Sequence, residues 1–188
     1  MRIALLLGSQ RGNGSSKAIE ESVERLNLAH DVDLIRMAEM KVEGCVACER
    51  CAANGRCALP PGPNDRFGDI LRRLVACDAL LVVTPIYSPF PSRLTALLER
   101  LLSVSFFAFY ANGVQRPLKG KPTAIICYGS SRIEDETGLK ILFQKLLADE
   151  YSFTAVTYPY LNTETDPNGR FPNVIEYVKD VLLNRLPA

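Results

Sequence analysis

Six cysteines occur in this chain of 188 residues, and four of them are spaced Cys45-x2-Cys48-x2-Cys51-x5-Cys57. Thiolates at such intervals can ligate a metal, hold a cluster or take part in disulfide exchange. A structural zinc site usually draws its ligands from two Cys-x2-Cys knuckles set a dozen or more residues apart, whereas cysteines repeated at intervals of two wrap a cubane [4Fe–4S] cluster. The ferredoxin run places its fourth cysteine after three residues and often lends it to another cluster. The x5 interval here favours one local cluster with Cys45, Cys48, Cys51 and Cys57 as its four ligands. Zinc, redox-active thiols and plain reduced cysteines are the readings the spacing leaves open. Cys77 and Cys127, at the start and end of strands, read as small buried hydrophobes.

Two further kinds of loop carry ligand chemistry. Gly8-Ser9-Gln10-Arg11-Gly12-Asn13-Gly14-Ser15-Ser16 follows an apolar run and precedes a helical pattern. Backbone N–H groups at a helix start, the hydroxyls of Ser9, Ser15 and Ser16, and the Arg11 guanidinium suit an anion, best a terminal monophosphate with several free oxygens. The P-loop pattern fails because Asn13 stands at its sixth position and no Gly-Lys-Ser/Thr follows. The dinucleotide fingerprint fails because Lys17 stands where its third glycine belongs. Thr84-Pro85-Ile86-Tyr87-Ser88-Pro89-Phe90-Pro91-Ser92 sets an aromatic ring and a proline-stiffened backbone at a second strand end, where a flat heteroaromatic group can lie, although Tyr87 and Phe90 equally suit a core. Tyr128-Gly129-Ser130-Ser131-Arg132 is a third strand end, again small and polar.

The elements that must hold these loops alternate in type. Ile3 to Leu7, Val32 to Ile35, Ala79 to Val83, Thr123 to Cys127 and Phe153 to Tyr158 read as strands, the first a continuous apolar run suited to burial on both sheet faces. Helical spacing appears at Ile19, Val23 and Leu26; at Phe67, Ile70, Leu71, Leu74 and Val75; at Leu94, Leu97, Leu98, Leu101 and Leu102; at Leu139, Leu142, Phe143, Leu146 and Leu147; and at Val174, Val178, Val181 and Leu182. Strand–helix alternation implies right-handed crossovers and an α/β doubly wound parallel sheet with helices on both faces. Five strands favour the flavodoxin-like order 2-1-3-4-5, with the ligand outside the carboxyl ends of the strands. The chain reads as one domain, 1–188, interrupted by an aperiodic cysteine- and proline-rich loop over 37–64, a length usually reserved for function.

Composition narrows the setting. Hydrophobic residues make up 47% of the chain, and 22 basic side chains face 21 acidic ones. No basic run suits nucleic acid. No apolar stretch is expected to approach the roughly 18 residues that span a bilayer, and Met1 to Leu7 is too short for a signal-peptide core, so the cytoplasm is expected. In that reducing compartment clustered thiols read as ligands or redox centres. His30 is the one histidine, which disfavours a histidine general base. Phe106, Phe107, Phe109 and Tyr110 form an aromatic patch in what reads as an irregular segment, suited to an oligomer contact, with a core cluster or a pocket wall as the alternatives.

Gly8-Ser9-x-Arg11, the compact cysteine run, Thr84-Pro85-Ile86-Tyr87 followed by Leu94 and Leu98-Glu99-Arg100, and Pro117-Leu118-Lys119-Gly120-Lys121 are together similar to the flavodoxin-like NADPH-dependent FMN reductases. Residues 2 to 132 most closely resemble their iron-sulfur flavoprotein branch. The resemblance implies FMN, with Ser9, Arg11, Asn13, Ser15 and Ser16 around the phosphate, Pro85, Ile86, Tyr87 and Ser88 beside the isoalloxazine, and Gly129, Ser130 and Ser131 at its far side. It further implies a flavin-dependent oxidoreductase in which a [4Fe–4S] cluster at the four cysteines exchanges electrons with FMN to reduce a small acceptor. The donor is then ferredoxin or NAD(P)H, and the assembly a homodimer or homotetramer. A cluster-free NAD(P)H-dependent FMN or quinone reductase and a non-enzymatic FMN-binding module are the alternatives. This chain departs from the pattern at Ser88-Pro89-Phe90-Pro91, where a Gly-Asn pair is usual, at Thr95 in place of lysine and at Glu99 in place of aspartate.

Overall fold

The computed structural model describes residues 2–13, 17, 21, 31–86, 90–114, 116, 118, 121–128 and 151–152. Apolar runs form its strands: β1 (Arg2–Leu7), β2 (Asp31–Arg36), β3 (Ala79–Pro85), β4 (Lys121–Tyr128) and the short β5 (Tyr151–Ser152). The pairings between these five strands are all parallel, in the order β2-β1-β3-β4-β5. Ile3 to Leu7 and Ala79 to Pro85 are buried at every position, as strands covered on both faces must be. β2 lies at the edge and carries the charges that an edge tolerates. Its Asp33 is held by the Arg73 guanidinium, whose Nη2 also donates to the Leu34 carbonyl at 2.6 Å.

The helices α1 (Phe67–Ala76) and α2 (Ser92–Leu102) are the crossovers from β2 to β3 and from β3 to β4. Phe67, Ile70 and Leu74 form the inner face of α1, and Leu94, Leu97, Leu98 and Leu101 that of α2. All seven join Ala4, Leu6, Leu80 and Val82 of the sheet in one core. The expected helices around Ile19, Leu142 and Val178, and the strand expected from Phe153 to Tyr158, lie outside the described residues.

The aromatic segment departs from the expectation. α2 does not end in irregular chain: it continues through a π-helical turn (Ser103–Phe107) into α3 (Ala108–Asn112), which stops at Gly113 in the left-handed region with φ 65°. Phe107, Phe109 and Tyr110 are exposed on it. The 21-residue helical stretch Ser92–Asn112 is, by length and composition alone, apolar enough to cross a membrane. That corrects the expectation drawn from unbroken apolar runs, because Ser, Glu and Arg interrupt this stretch without lowering its average enough. More than half of its most apolar window is buried, and its leucines sit in the core described above, the placement of a core helix.

Candidate functional site

Two constellations lie along α2. The first is the carboxyl edge of the sheet, where β1, β3 and β4 end side by side. The Gly8 N–H donates to the Val83 carbonyl at 2.8 Å, and the Ile86 N–H to the Tyr128 carbonyl at 2.8 Å. Gly8 serves space rather than turning: a Cβ there would stand 2.5 Å from Thr84 Oγ1 and 2.6 Å from Thr84 Cβ. Ser9 is buried, and its hydroxyl accepts the Arg11 N–H at 3.1 Å, so it shapes the loop from inside. Arg11 and Asn13 are exposed. Gln10 reaches across to α2, its Oε1 accepting from the Ser92 hydroxyl at 2.8 Å and the Arg93 N–H at 3.3 Å. That side chain satisfies a helix-end donor, which Pro91 at the N-cap does not. Pro85 extends β3 opposite Tyr128, which is itself the buried last residue of β4 rather than loop. The expected site residues Ser15, Ser16, Tyr87, Ser88, Gly129, Ser130 and Ser131 lie outside the described residues. What is described is a crevice floor of adjacent strand ends with backbone amides and the Arg11 cation at its first loop, a donor set that suits a phosphate-bearing flat cofactor.

The second constellation is the cysteine loop. Between β2 and α1 the chain has no regular structure apart from a 3-10 turn (Arg50–Ala53), as its lack of periodicity requires. Side chains and carbonyls of α2 and its continuation hold it instead. Arg93 Nη1 donates to the Met37 and Ala38 carbonyls at 2.9 and 2.8 Å, the Cys45 N–H donates to Glu99 Oε2 at 3.3 Å, and Asn112 Nδ2 donates to the Ala52 carbonyl at 2.6 Å. Ser103 Oγ donates to the Glu99 carbonyl at 2.9 Å, so the Cys45 thiol, 3.5 Å from that oxygen, is its donor. The Cys51 thiol donates to the Ser103 carbonyl at 3.5 Å. Burial pushes the Cys51 thiol up from its ordinary value. Gly55, at φ 70°, brings the loop so near the helix that a Cβ would meet Val114 Cγ1 at 2.9 Å and the Val104 carbonyl at 3.2 Å.

Arg100 and Asp65 complete the clamp. Both are buried; Arg100 Nη1 donates to Asp65 Oδ1 at 2.6 Å and to the Glu43 carbonyl at 3.2 Å, and Nη2 donates to Cys57 Sγ at 3.1 Å. The same Asp65 oxygen accepts the Phe67 N–H at 3.3 Å at the start of α1. Ala47 and Glu49, on either side of Cys48, adopt left-handed φ values of 50° and 58°. Such non-glycine geometry costs about 1–2 kcal/mol per residue and gathers at ligand clamps.

These contacts enclose a cavity of about 720 Å³ with Cys45, Cys48, Cys51 and Cys57 all in its wall, opposite Leu102 and Phe107. Among the described residues no three Cys, His, Asp or Glu side chains gather closely enough to hold a single metal ion. A tetrahedral zinc, with Zn–S bonds of about 2.3 Å, needs a tighter cluster of sulfurs than this. The donor set fits a larger thiolate-held group in kind: four thiols face one cavity, one sulfur takes a guanidinium N–H, and the buried Nε–H of Arg100 has no acceptor among the described residues.

The sequence model of the NADPH-dependent FMN reductases matches residues 1–148. The chain belongs to the NADPH-dependent FMN reductase family. The chain is also similar to an iron-sulfur flavoprotein of Archaeoglobus fulgidus, 27% identical over 89 residues, 46% of this chain and 39% of that protein. The match therefore spans about two fifths of the curated relative's length. In three dimensions this FMN reductase family chain is similar to the NAD(P)H:quinone oxidoreductase of Methanothermobacter marburgensis, with a TM-score of 0.70 at 14% identity over 98% of each chain. It is also similar to the protein Smu.1420 of Streptococcus mutans UA159, with a TM-score of 0.68 at 19% identity over 98% of this chain and 100% of the other. At those identities the shared property is the flavodoxin-like fold.

Reading the sequence alone singled out the four cysteines, Ser9, Arg11, Asn13, Pro85 and Ile86, but missed Gln10, Asp65, Arg93, Glu99, Arg100 and Ser103 as the residues that hold the two loops. One signal was available: Arg93 and Arg100 are seven residues apart and Arg100 shares the helical face of Leu97 and Leu101, where a charge calls for a buried partner.

Proposed function

We propose that this chain is an FMN-containing oxidoreductase of the iron-sulfur flavoprotein type. In this reading FMN lies at the carboxyl edge of the sheet, a [4Fe–4S] cluster is held by Cys45, Cys48, Cys51 and Cys57, and a small acceptor such as a quinone is reduced. NAD(P)H or a one-electron carrier such as ferredoxin is the donor, and the reducing cytoplasm is the compartment. The observation that carries the reading is the convergence of all four cysteines on one cavity clamped to α2. FMN supplies two-electron and one-electron transfer when bound. The chain's own part is placement. Arg11, Asn13, Ser15 and Ser16 bind the phosphate on a loop ordered by Ser9; Pro85, Ile86, Tyr87 and Ser88 flank the ring; Gly129, Ser130 and Ser131 close its far side. Gln10 couples that loop to α2, and α2 in turn carries the cysteine loop, so one helix sets the separation of the two sites.

A second reading, an NAD(P)H-dependent FMN or quinone reductase whose cysteines stay unligated, is favoured by the finding that no three Cys, His, Asp or Glu side chains among the described residues gather closely enough to hold one metal ion. Anaerobic purification with iron, sulfide, zinc and flavin quantified per chain separates the two. About four iron and four sulfide with one FMN is expected. FMN without iron or sulfide, after anaerobic reconstitution, overturns the cluster and leaves the second reading. No retained flavin overturns both.

A further inference from the structure

Arg100 is 1% exposed, yet it divides its guanidinium among acceptors of three kinds: a carboxylate, a carbonyl and the Cys57 sulfur. The Phe67 ring covers the guanidinium, 4.1 Å from Cζ to centroid. The bonds to Asp65 and the Glu43 carbonyl suffice to clamp the loop, and neither needs a cysteine. The bond to Cys57 directs a fixed positive charge at a sulfur, in a setting where the ring and core side chains exclude water. The negative groups near it are weaker opponents. Asp65 is bonded to the other guanidinium nitrogen, and the two carboxylates in the cavity wall, Glu49 and Glu99, are exposed, Glu99 accepting the Cys45 N–H. Hydrogen bonds to sulfur and nearby positive charge favour the more negative, reduced state of a thiolate-held metal group.

We propose that Arg100 raises the reduction potential of the redox group held at Cys57, through a charge-assisted N–H···S bond, in addition to clamping the loop. The inference rests on the cluster reading above, and it makes Arg100 a positioning residue with an electronic effect. It is tested on the full-length chain purified anaerobically, by iron and sulfide analysis followed by a spectroscopic redox titration. The double substitution Arg100→Gln with Asp65→Asn removes the cation while leaving no lone buried charge. At a fixed ambient potential its oxidised-to-reduced ratio is expected to rise about tenfold, equivalent to a fall of about 59 mV for a one-electron couple. Arg100→Lys keeps the charge without the planar fork and is expected to fall between. Full iron with an unchanged potential in the double variant overturns this inference alone. If the double variant binds no iron, a wild-type potential in Arg100→Lys overturns it, and loss of iron from both variants overturns it in favour of a clamp alone. A wild-type chain that takes up no iron overturns the cluster reading as well.

Discussion

Replacing Gly8 by alanine isolates what the first loop requires of its opening residue. The new Cβ would stand 2.5 Å from Thr84 Oγ1, 2.6 Å from Thr84 Cβ and 2.9 Å from Leu94 Cδ2. Carbon atoms in contact sit about 3.5–4.0 Å apart, so roughly 1 Å of clearance is missing against Thr84. Thr84 cannot turn away, because its Cβ is fixed to a buried strand paired on both sides. The Gly8 N–H bond to the Val83 carbonyl has to stretch instead. Overpacking costs about 1–3 kcal/mol, and a clash with backbone-anchored atoms belongs at the upper end, about 3 kcal/mol. Alanine returns about 0.4–1 kcal/mol through the unfolded chain, leaving a net loss of about 2 kcal/mol. At about 2–4 °C per kcal/mol for a domain of this size, the melting temperature falls by roughly 4–8 °C. Urea and thermal unfolding of Gly8→Ala, Thr84→Gly and the double variant give the assay. With Thr84 trimmed, only the flexible end of Leu94 remains in the way, so Gly8→Ala is expected to cost less than about 1 kcal/mol there. A Gly8→Ala protein within about 0.5 kcal/mol of wild type, or an equal cost in both backgrounds, refutes the steric argument.

Two further expectations follow from the same contacts. Hydrogen bonds from Arg73 hold the Asp33 carboxyl below the ordinary carboxylate range, against the opposing effect of burial. A depressed folded pKa gives stability that is present above the unfolded value and lost as pH falls through the folded one. Asp33→Asn is therefore expected to cost about 1–2 kcal/mol near neutrality, with the gap to wild type closing below about pH 4 in a urea-unfolding pH series. Cys48 is exposed, whereas Cys77, 1% exposed at the end of α1, has its thiol pushed up by burial. In protein stripped of any bound metal, a thiol reagent followed by mass spectrometry is expected to label Cys48 before Cys77, and Cys77 only at the rate of global unfolding; early labelling of Cys77 would contradict its burial.

The first four strands were legible to within two residues because parallel strands buried on both faces are unbroken apolar runs, as Ile3 to Leu7 and Ala79 to Val83 are, whereas the described residues of β5, Tyr151 and Ser152, precede the expected Phe153 to Tyr158. The cysteine loop was legible by its aperiodicity and its spacing. The π-helical turn was not: the aromatic segment after the leucine-rich helix reads as irregular, while the structure continues the helix there, uses the Ser103 carbonyl and hydroxyl as partners for two thiols and buries Ser105. Arg100 was legible only as part of the Leu98-Glu99-Arg100 segment and Asp65 carried no signal, because the burial of each depends on the other and the two are 35 positions apart. Pairings of that kind exist only once tertiary structure has formed. Gly8 was legible as a loop glycine, but for flexibility, when its need is space beside Thr84.

The cysteine cavity also imposes an order in time. Its two halves are written far apart in the chain: Cys45 and its partner Glu99 are separated by 54 positions, and Ser103 comes later still. A ribosome adding about 5–20 residues per second delivers the second half roughly 3 to 10 s after the first. Through that interval the four thiols of the nascent loop have neither Arg100 nor Ser103 beside them and no wall opposite. Nothing else in the finished clamp shields them from oxidation in that interval, and anything that occupies the finished cavity is admitted after α2 has been made and docked.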